Sequence, residues 1–329
     1  MKANTMRIPL MVGLGLILSG ASALAQAPIT VFSENFDVDP TANWTVNKLG
    51  VGNSDANFFF DYSTVGIPAA PNSGATTIGL RLRANQYGST AAFPSGVSVS
   101  PIGQSFSGDY YKLSFDMWLN FNGPAPGGGS GSTQITGAGI GTAGTSAQIA
   151  GGLIDSINFG ASGEGGTTAD YRAYAPSVQS GYQDASGVYA AGTSGSRNNT
   201  HAYYAGFGGV SAPAAQVALY PQQTGATTAG AVGWAWRDVE IVKDGNIVTY
   251  SIDGLLIATV DTTTAGTLGG GNILFNQYDI NSTVSGDLNS PALLFGLIDN
   301  VAVMIPEPTS GVLFLLGGLG LFAAWCRRK

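Results

Sequence analysis

Residues 112–121 alternate without a break. Leu113, Phe115, Met117, Leu119 and Phe121 fall on one face of an extended chain, and Lys112, Ser114, Asp116, Trp118 and Asn120 fall on the other. A period of two sustained over such a length marks a β-strand with one face in a core. The body of the chain shows no comparable helical period, so strands must bury themselves against strands. Ile78, Leu80 and Leu82 alternate with Gly79, Arg81 and Arg83. Residues 234–261 predict a three-strand meander. In it Val239 and Ile241 alternate with Asp238 and Glu240, and Val248, Tyr250 and Ile252 alternate with Thr249, Ser251 and Asp253. Asp244-Gly245 and Asp253-Gly254 supply the positive φ angles that the two tight turns require. Further strands are predicted over 29–36, 156–159, 201–207, 273–278 and 293–303. Residues 122–152 and 186–230 are rich in Gly, Ala, Ser and Thr and predict long surface loops.

The two ends of the chain have a different character. Lys2 and Arg7 precede an apolar stretch over residues 8–18, and Ala23-Leu24-Ala25 is a small-x-small cleavage pattern. That order predicts a secretory signal peptide over 1–25, with Gln26 as the mature start. At the other end, Pro306-Glu307-Pro308 is followed by an apolar run over 312–325 and then by Arg327, Arg328 and Lys329. No charged residue lies between Pro308 and Cys326, and an 18-residue helix there would span roughly 27 Å, close to the hydrocarbon thickness of a bilayer. The basic cluster would remain on the cytoplasmic side. Three segments follow: 1–25, an exported body over 26–304, and a membrane-spanning tail over 305–329.

The tail resembles the PEP-CTERM sorting signal of bacterial envelope proteins. The resemblance rests on Pro306, Glu307 and Pro308, the apolar segment, and Arg327 with Arg328, in that order. It covers only about the last 24 residues. It implies export, transient anchoring in the membrane by the C-terminus, and processing by an exosortase-type enzyme. It also implies a setting in the cell envelope, at the outer surface or in an extracellular matrix that contains exopolysaccharide.

Composition narrows the function. Of the 20 acidic and 13 basic residues, all the acidic ones but Glu307 fall in the exported body, whereas five basic ones lie in the terminal segments. The body is therefore strongly acidic, which excludes nucleic acid as a natural partner. The single cysteine, Cys326, lies in the tail, so the body has no disulfide, no Cys-ligated metal and no thiol nucleophile.

Alternating strands, glycine-rich turns and absent helices argue for an all-β sandwich. The order resembles the concanavalin A-like jelly-roll β-sandwich, in particular its laminin-G-like bacterial forms. The residues that carry this likeness are 32–37, 111–119, the hairpin 239–254 and the closing 298–303.

Catalytic patterns are sparse. His201 is the only histidine, no Gly-x-Ser-x-Gly occurs, and the glycine runs lack the Lys-Ser or Lys-Thr of a phosphate loop. Glycoside hydrolysis needs two carboxyl groups facing one bond. Asp238 and Glu240 beside Trp236 come nearest, and the solvated side of a strand explains them better. A structural Ca²⁺ is the candidate cofactor. Asp299 is in phase with Leu297, Val301 and Val303, which predicts burial, and a buried carboxylate requires pairing or a metal. Glu34 in the first strand, and Asp37 and Asp39 in the turn after it, would lie beside the last strand, so Glu34, Asp37 and Asp299 could share the ion. The alternative is that Asp299-Asn300 caps a bulge. Trp118 and Trp236, with Tyr203 and Tyr204 behind them, are the candidates for stacking on sugar faces. The expectation is a non-enzymatic envelope protein associated with exopolysaccharide. The alternatives are an adhesive surface protein without a defined ligand and a divergent glycan-cleaving enzyme.

Overall fold

A computed structural model describes residues 28–50, 54–85, 95–127, 133–280 and 286–306. The expected signal peptide over 1–25 and the expected tail from Glu307 onward lie outside the described residues. The strands in chain order are β1 (Ile29–Glu34), β2 (Trp44–Leu49), β3 (Asp55–Asp61), β4 (Ile78–Arg83), β5 (Ser95–Pro101), β6 (Tyr110–Asn120) and β7 (Gln134–Thr142). They continue as β8 (Ile157–Ser162), β9 (Tyr171–Tyr174), β10 (Trp236–Asp244), β11 (Ile247–Ile252), β12 (Leu255–Asp261), β13 (Asn272–Asp279) and β14 (Phe295–Ile305). Two short helices, α1 (Ala214–Leu219) and α2 (Ser290–Leu293), complete the elements used below. Among the described residues no helix is long and apolar enough to cross a membrane.

The strands form two antiparallel sheets. The larger runs β12-β11-β10-β6-β14-β4-β3, with β1 paired to the lower half of β14, and the smaller runs β2-β5-β13-β7-β8-β9. The alternation in 112–121 does what its period demands. Leu113, Phe115, Met117 and Leu119 enter the core between the sheets, where they meet Val97, Val99, Ala138, Ile140, Phe159, Ile273 and Phe275 from the smaller one. Aromatic rings tie the layers together: Phe275 packs edge-on against Phe115 at 5.0 Å and lies 6.2 Å from Trp44.

The meander is as predicted. Strands β10, β11 and β12 pair in sequence, and the turns place Gly245, Asp253 and Gly254 at positive φ. The predicted strand over 201–207 is absent. His201 instead accepts the Tyr203 N–H through Nδ1 and caps a short 3-10 turn over Ala202–Tyr204. The stretch 122–152, predicted as loop, contains β7. Its glycines make strand pairing possible: a Cβ on Gly137 would lie 2.0 Å from the Phe159 carbonyl oxygen, and one on Gly139 2.5 Å from the Ile157 carbonyl oxygen. The stretch 186–230 does lack strands and carries α1 and the 3-10 turn over Ala202–Tyr204.

The outer faces of both sheets are partly covered. Ile149 and Ile154 from the β7–β8 connection pack with Tyr174 and Tyr278 over the smaller sheet. Over the upper part of the larger sheet, Tyr62, Val65 and Ile67 join Trp118, Trp234, Phe295 and Leu297 in a second apolar cluster. With no disulfide in the body, these layers hold the fold together. Phe275→Ala removes the ring on which Trp44 and Phe115 meet. It is expected to lower unfolding free energy by about 3–5 kcal/mol, measured as a shift in the urea midpoint.

Candidate functional site

Of the candidate residues chosen from sequence, Trp118, Trp236, Asp238, Glu240 and Asp299 gather on the outer face of the larger sheet. Register sets them in rows. Trp236 on β10 lies opposite Trp118 on β6, which lies opposite Leu297 on β14. One step down, Asp238, Asp116 and Asp299 form the next row. Below that, Glu240 pairs across with Ser114 and Ser251.

Trp118 does not stand exposed, as its polar strand neighbours suggested. It is 2% exposed, because the 62–77 connection and Trp236 close over it. Its Nε1 donates to Asn120 Oδ1 at 3.1 Å. Trp236 remains half-buried. Its ring packs edge-on against Trp118 at 5.7 Å and Tyr62 at 5.2 Å, and its Nε1 donates to the Pro68 carbonyl at 2.8 Å. Of the two tryptophans, only Trp236 offers ring surface to a ligand. Tyr204 is fully buried, and half-buried Tyr203 donates its hydroxyl to the Leu256 carbonyl.

The phase argument for Asp299 fails for a local reason. The register of β14 against β6 shifts between Asp299 and Ala302, and Asn300 sits at φ +52°. This bulge turns Leu297 and Asp299 to the outer face and returns Val301 and Val303 to the core. Asp299 is still fully buried, beneath the 62–77 connection. Its Oδ1 accepts the Asn300 N–H at 2.7 Å and its Oδ2 accepts the Tyr62 hydroxyl at 3.0 Å. Burial pushes its carboxyl up to about 7, opposed by those two hydrogen bonds and reinforced by the Asp116 and Asp37 charges.

The expected Ca²⁺ ligand set does not assemble. Glu34 accepts the Phe36 N–H at 2.9 Å, and Asp37 accepts the Asn35 side-chain amide at 2.7 Å. Among the described residues no three His, Cys, Asp or Glu side chains come together as a metal site. Asp299 caps the bulge, which is the alternative that the sequence left open.

Asp116, also buried, is held on three sides. The Asn72 backbone N–H, the Asn72 side-chain amide and the Asn300 side-chain amide all donate to it, at 3.2, 2.9 and 2.7 Å. Lys112 pairs with Glu240 across the strands. Exposed Asp238 is the least committed carboxylate in the row. Burial, then the charges of Glu240, Asp116 and Asp253, holds its pKa above the usual carboxylate value. Away from this face, Glu164 after β8 is pushed up to about 8, by burial and then by Asp170 and Asp279. No sequence pattern singles it out.

No family model matches the chain, and no curated protein does. Solved structures similar to it include a Bacillus subtilis protein of unknown function with a galectin-like fold, at 10% identity and TM-score 0.39, covering 84% of this chain and 98% of that one. The carbohydrate recognition domain of Emp47p is similar at 10% identity and TM-score 0.36, covering 80% and 88%. Bacillus licheniformis β-glucanase is similar at 13% identity and TM-score 0.39, covering 83% and 97%. At these identities the activities of those proteins remain their own.

The raised Asp299 pKa has a stability consequence. The fold favours the neutral carboxyl, so this contribution is full below the ordinary carboxylate pKa near 4 and is lost as pH rises through about 7. Asp299→Asn keeps the side chain neutral at every pH. It is expected to flatten the decline in urea midpoint between pH 5 and pH 8, with the variant matching or exceeding the parent at pH 8.

Proposed function

We propose that this chain is an exported, non-enzymatic envelope protein whose sandwich binds a polysaccharide across the open outer face of its larger sheet. In this reading it has a concanavalin A-like jelly roll, and its signal peptide and exosortase-processed tail deliver it through the inner membrane. The observation that carries the binding role is the half-buried Trp236 ring at the edge of a flat polar strand surface. Tyr62 and Trp118 hold the indole in one orientation, so little side-chain entropy is lost when a sugar stacks on it. Below it, Asp238, Ser114, Ser251, Thr249 and Thr259 line the open part of the face. They are hydroxyl and carboxylate partners for sugar hydroxyls.

Cleavage draws less support from the same face. Glu240 is engaged by Lys112, and Asp116 is buried under three donors. That leaves Asp238 without a second free carboxyl group to work opposite it.

The test is an array of neutral and charged polysaccharides probed with the full chain. Trp236→Ala should lose at least about tenfold in affinity, in line with the roughly 1–3 kcal/mol of a ring stacked on a flat ligand, without loss of cooperative unfolding. Trp118→Ala should act mainly on stability. Absence of saturable binding by the folded chain, or binding unchanged in Trp236→Ala, would overturn the reading in favour of an adhesive role without a ligand site.

A further inference from the structure

The first and last strands pair with each other, and this fixes where the chain leaves the fold. Ile29 lies opposite Ile305, and Met304 lies opposite Lys112. Both ends of the body therefore exit together, level with the start of β6. The same register brings the β10–β11 turn to this end, since Tyr110 pairs with Asp244 and Asp244 with Ile247. The 102–109 connection also crosses it, with Phe106 N–H donating to the Gly271 carbonyl.

Large apolar side chains are exposed at this end. Ile29, Val31, Ile102, Tyr110 and Ile247 are 39–53% exposed. They surround the chain exit, with Tyr110 and Ile247 at the lower end of the outer face, in phase with Lys112 and Thr249. Lys243 and the exposed Asp109, Asp244 and Asp261 lie among them.

The chain outside the described residues limits what can sit against this end. Only six residues, Pro306 to Gly311, lie between Ile305 and Val312, where the apolar run begins. Fully extended, the seven steps from Ile305 to Val312 reach about 25 Å. A body of this length has an expected radius of gyration of roughly 19 Å and a diameter near 48 Å. A tether of half that diameter cannot bring the opposite end of the sandwich to the bilayer.

We propose that this end of the sandwich rests on the lipid surface while the tail is in the membrane, with Ile29, Val31, Ile102, Tyr110 and Ile247 entering the headgroup region. The proposal depends on the export and anchoring reading above. Its driving force is apolar. Three aspartates against one lysine give no attraction to anionic lipid, so contact is as strong on zwitterionic vesicles as on anionic ones. The arrangement keeps the tail junction at Pro306 in the interfacial zone, within reach of a membrane-embedded processing enzyme.

The test uses the full chain with Cys326→Ser, reconstituted into phosphatidylcholine vesicles that carry a nitroxide-labelled lipid. A fluorophore is placed at Ile247→Cys, or at Leu219→Cys on α1. Leu219 is 54% exposed and lies at the other end, where Gln216 of the same helix donates to Asn120. Quenching at position 247 should exceed that at position 219 by about threefold or more, as expected for a side chain in the headgroup layer. Added phosphatidylglycerol should not raise it. Equal quenching in a chain that floats with the vesicles would overturn the docking proposal alone. A chain that does not float with them would overturn the anchoring reading, and the proposal with it.

Discussion

Strand β14 pairs with β1, β4 and β6, and so stands at the centre of the larger sheet. A regular strand there would send Leu297, Asp299, Val301 and Val303 to one side, leaving either a carboxylate in the apolar core or two valines outside it. Asn300 resolves the conflict. Its left-handed backbone, tolerable for Asn at modest cost, inserts one bulge, and its side chain then donates to Asp116. Asp299 accepts the amide that the bulge frees. One residue thus separates the hydrophobic half of β14 from the polar row and binds that row together.

The row in turn explains why the upper outer face is closed. Asp116 and Asp299 are buried carboxylates, and each needs donors. Tyr62 and Asn72, both from the β3–β4 connection, supply them. The connection is thereby pinned over Trp118, and Gln216 of α1 anchors to the Val65 carbonyl above it. Trp236 is the boundary between covered and open sheet. Its indole N–H is used by Pro68, one edge is packed, and the rest faces water. The same contacts that fix its orientation prevent Trp118 from being a ligand surface.

Much of the architecture could be read from alternation. Strands β6, β10, β11 and β12 follow their patterns closely, because each has one apolar side and a turn of defined chemistry. Strand β7 was illegible for a physical reason. Gly137 and Gly139 stand where neighbouring strands approach too closely for a Cβ, so its outward positions carry no side chain to signal a period. The 201–207 segment misled in the opposite direction: its aromatics fill the core edge from a 3-10 turn capped by His201. For the candidate residues, the sequence placed Trp118, Trp236, Asp238 and Glu240 on the polar side of their strands, but it turned Asp299 to the wrong face and gave it the wrong partner. Nothing in a period-two pattern reveals a bulge, and Tyr62, which donates to Asp299, lies 237 residues away from it in the chain.

The open face and the chain exit are positioned by the same register. Trp118 is eight residues along β6 from Tyr110, about 26 Å at strand rise. Trp236 shares the level of Trp118, and Ile29, Ile305 and Ile247 share that of Tyr110. If the body is anchored through its exit, as proposed, the indole stands well clear of the anchoring surface. Because β1 and β14 are hydrogen-bonded neighbours, that separation is a property of the sheet and does not depend on the conformation of the tail. A polysaccharide lying across β10 and β11 could then extend parallel to the membrane without meeting it. In the proposed reading, the excess of carboxylates on the body weakens the attraction of acidic polymers and anionic headgroups alike, so that recognition would rest on stacking against Trp236.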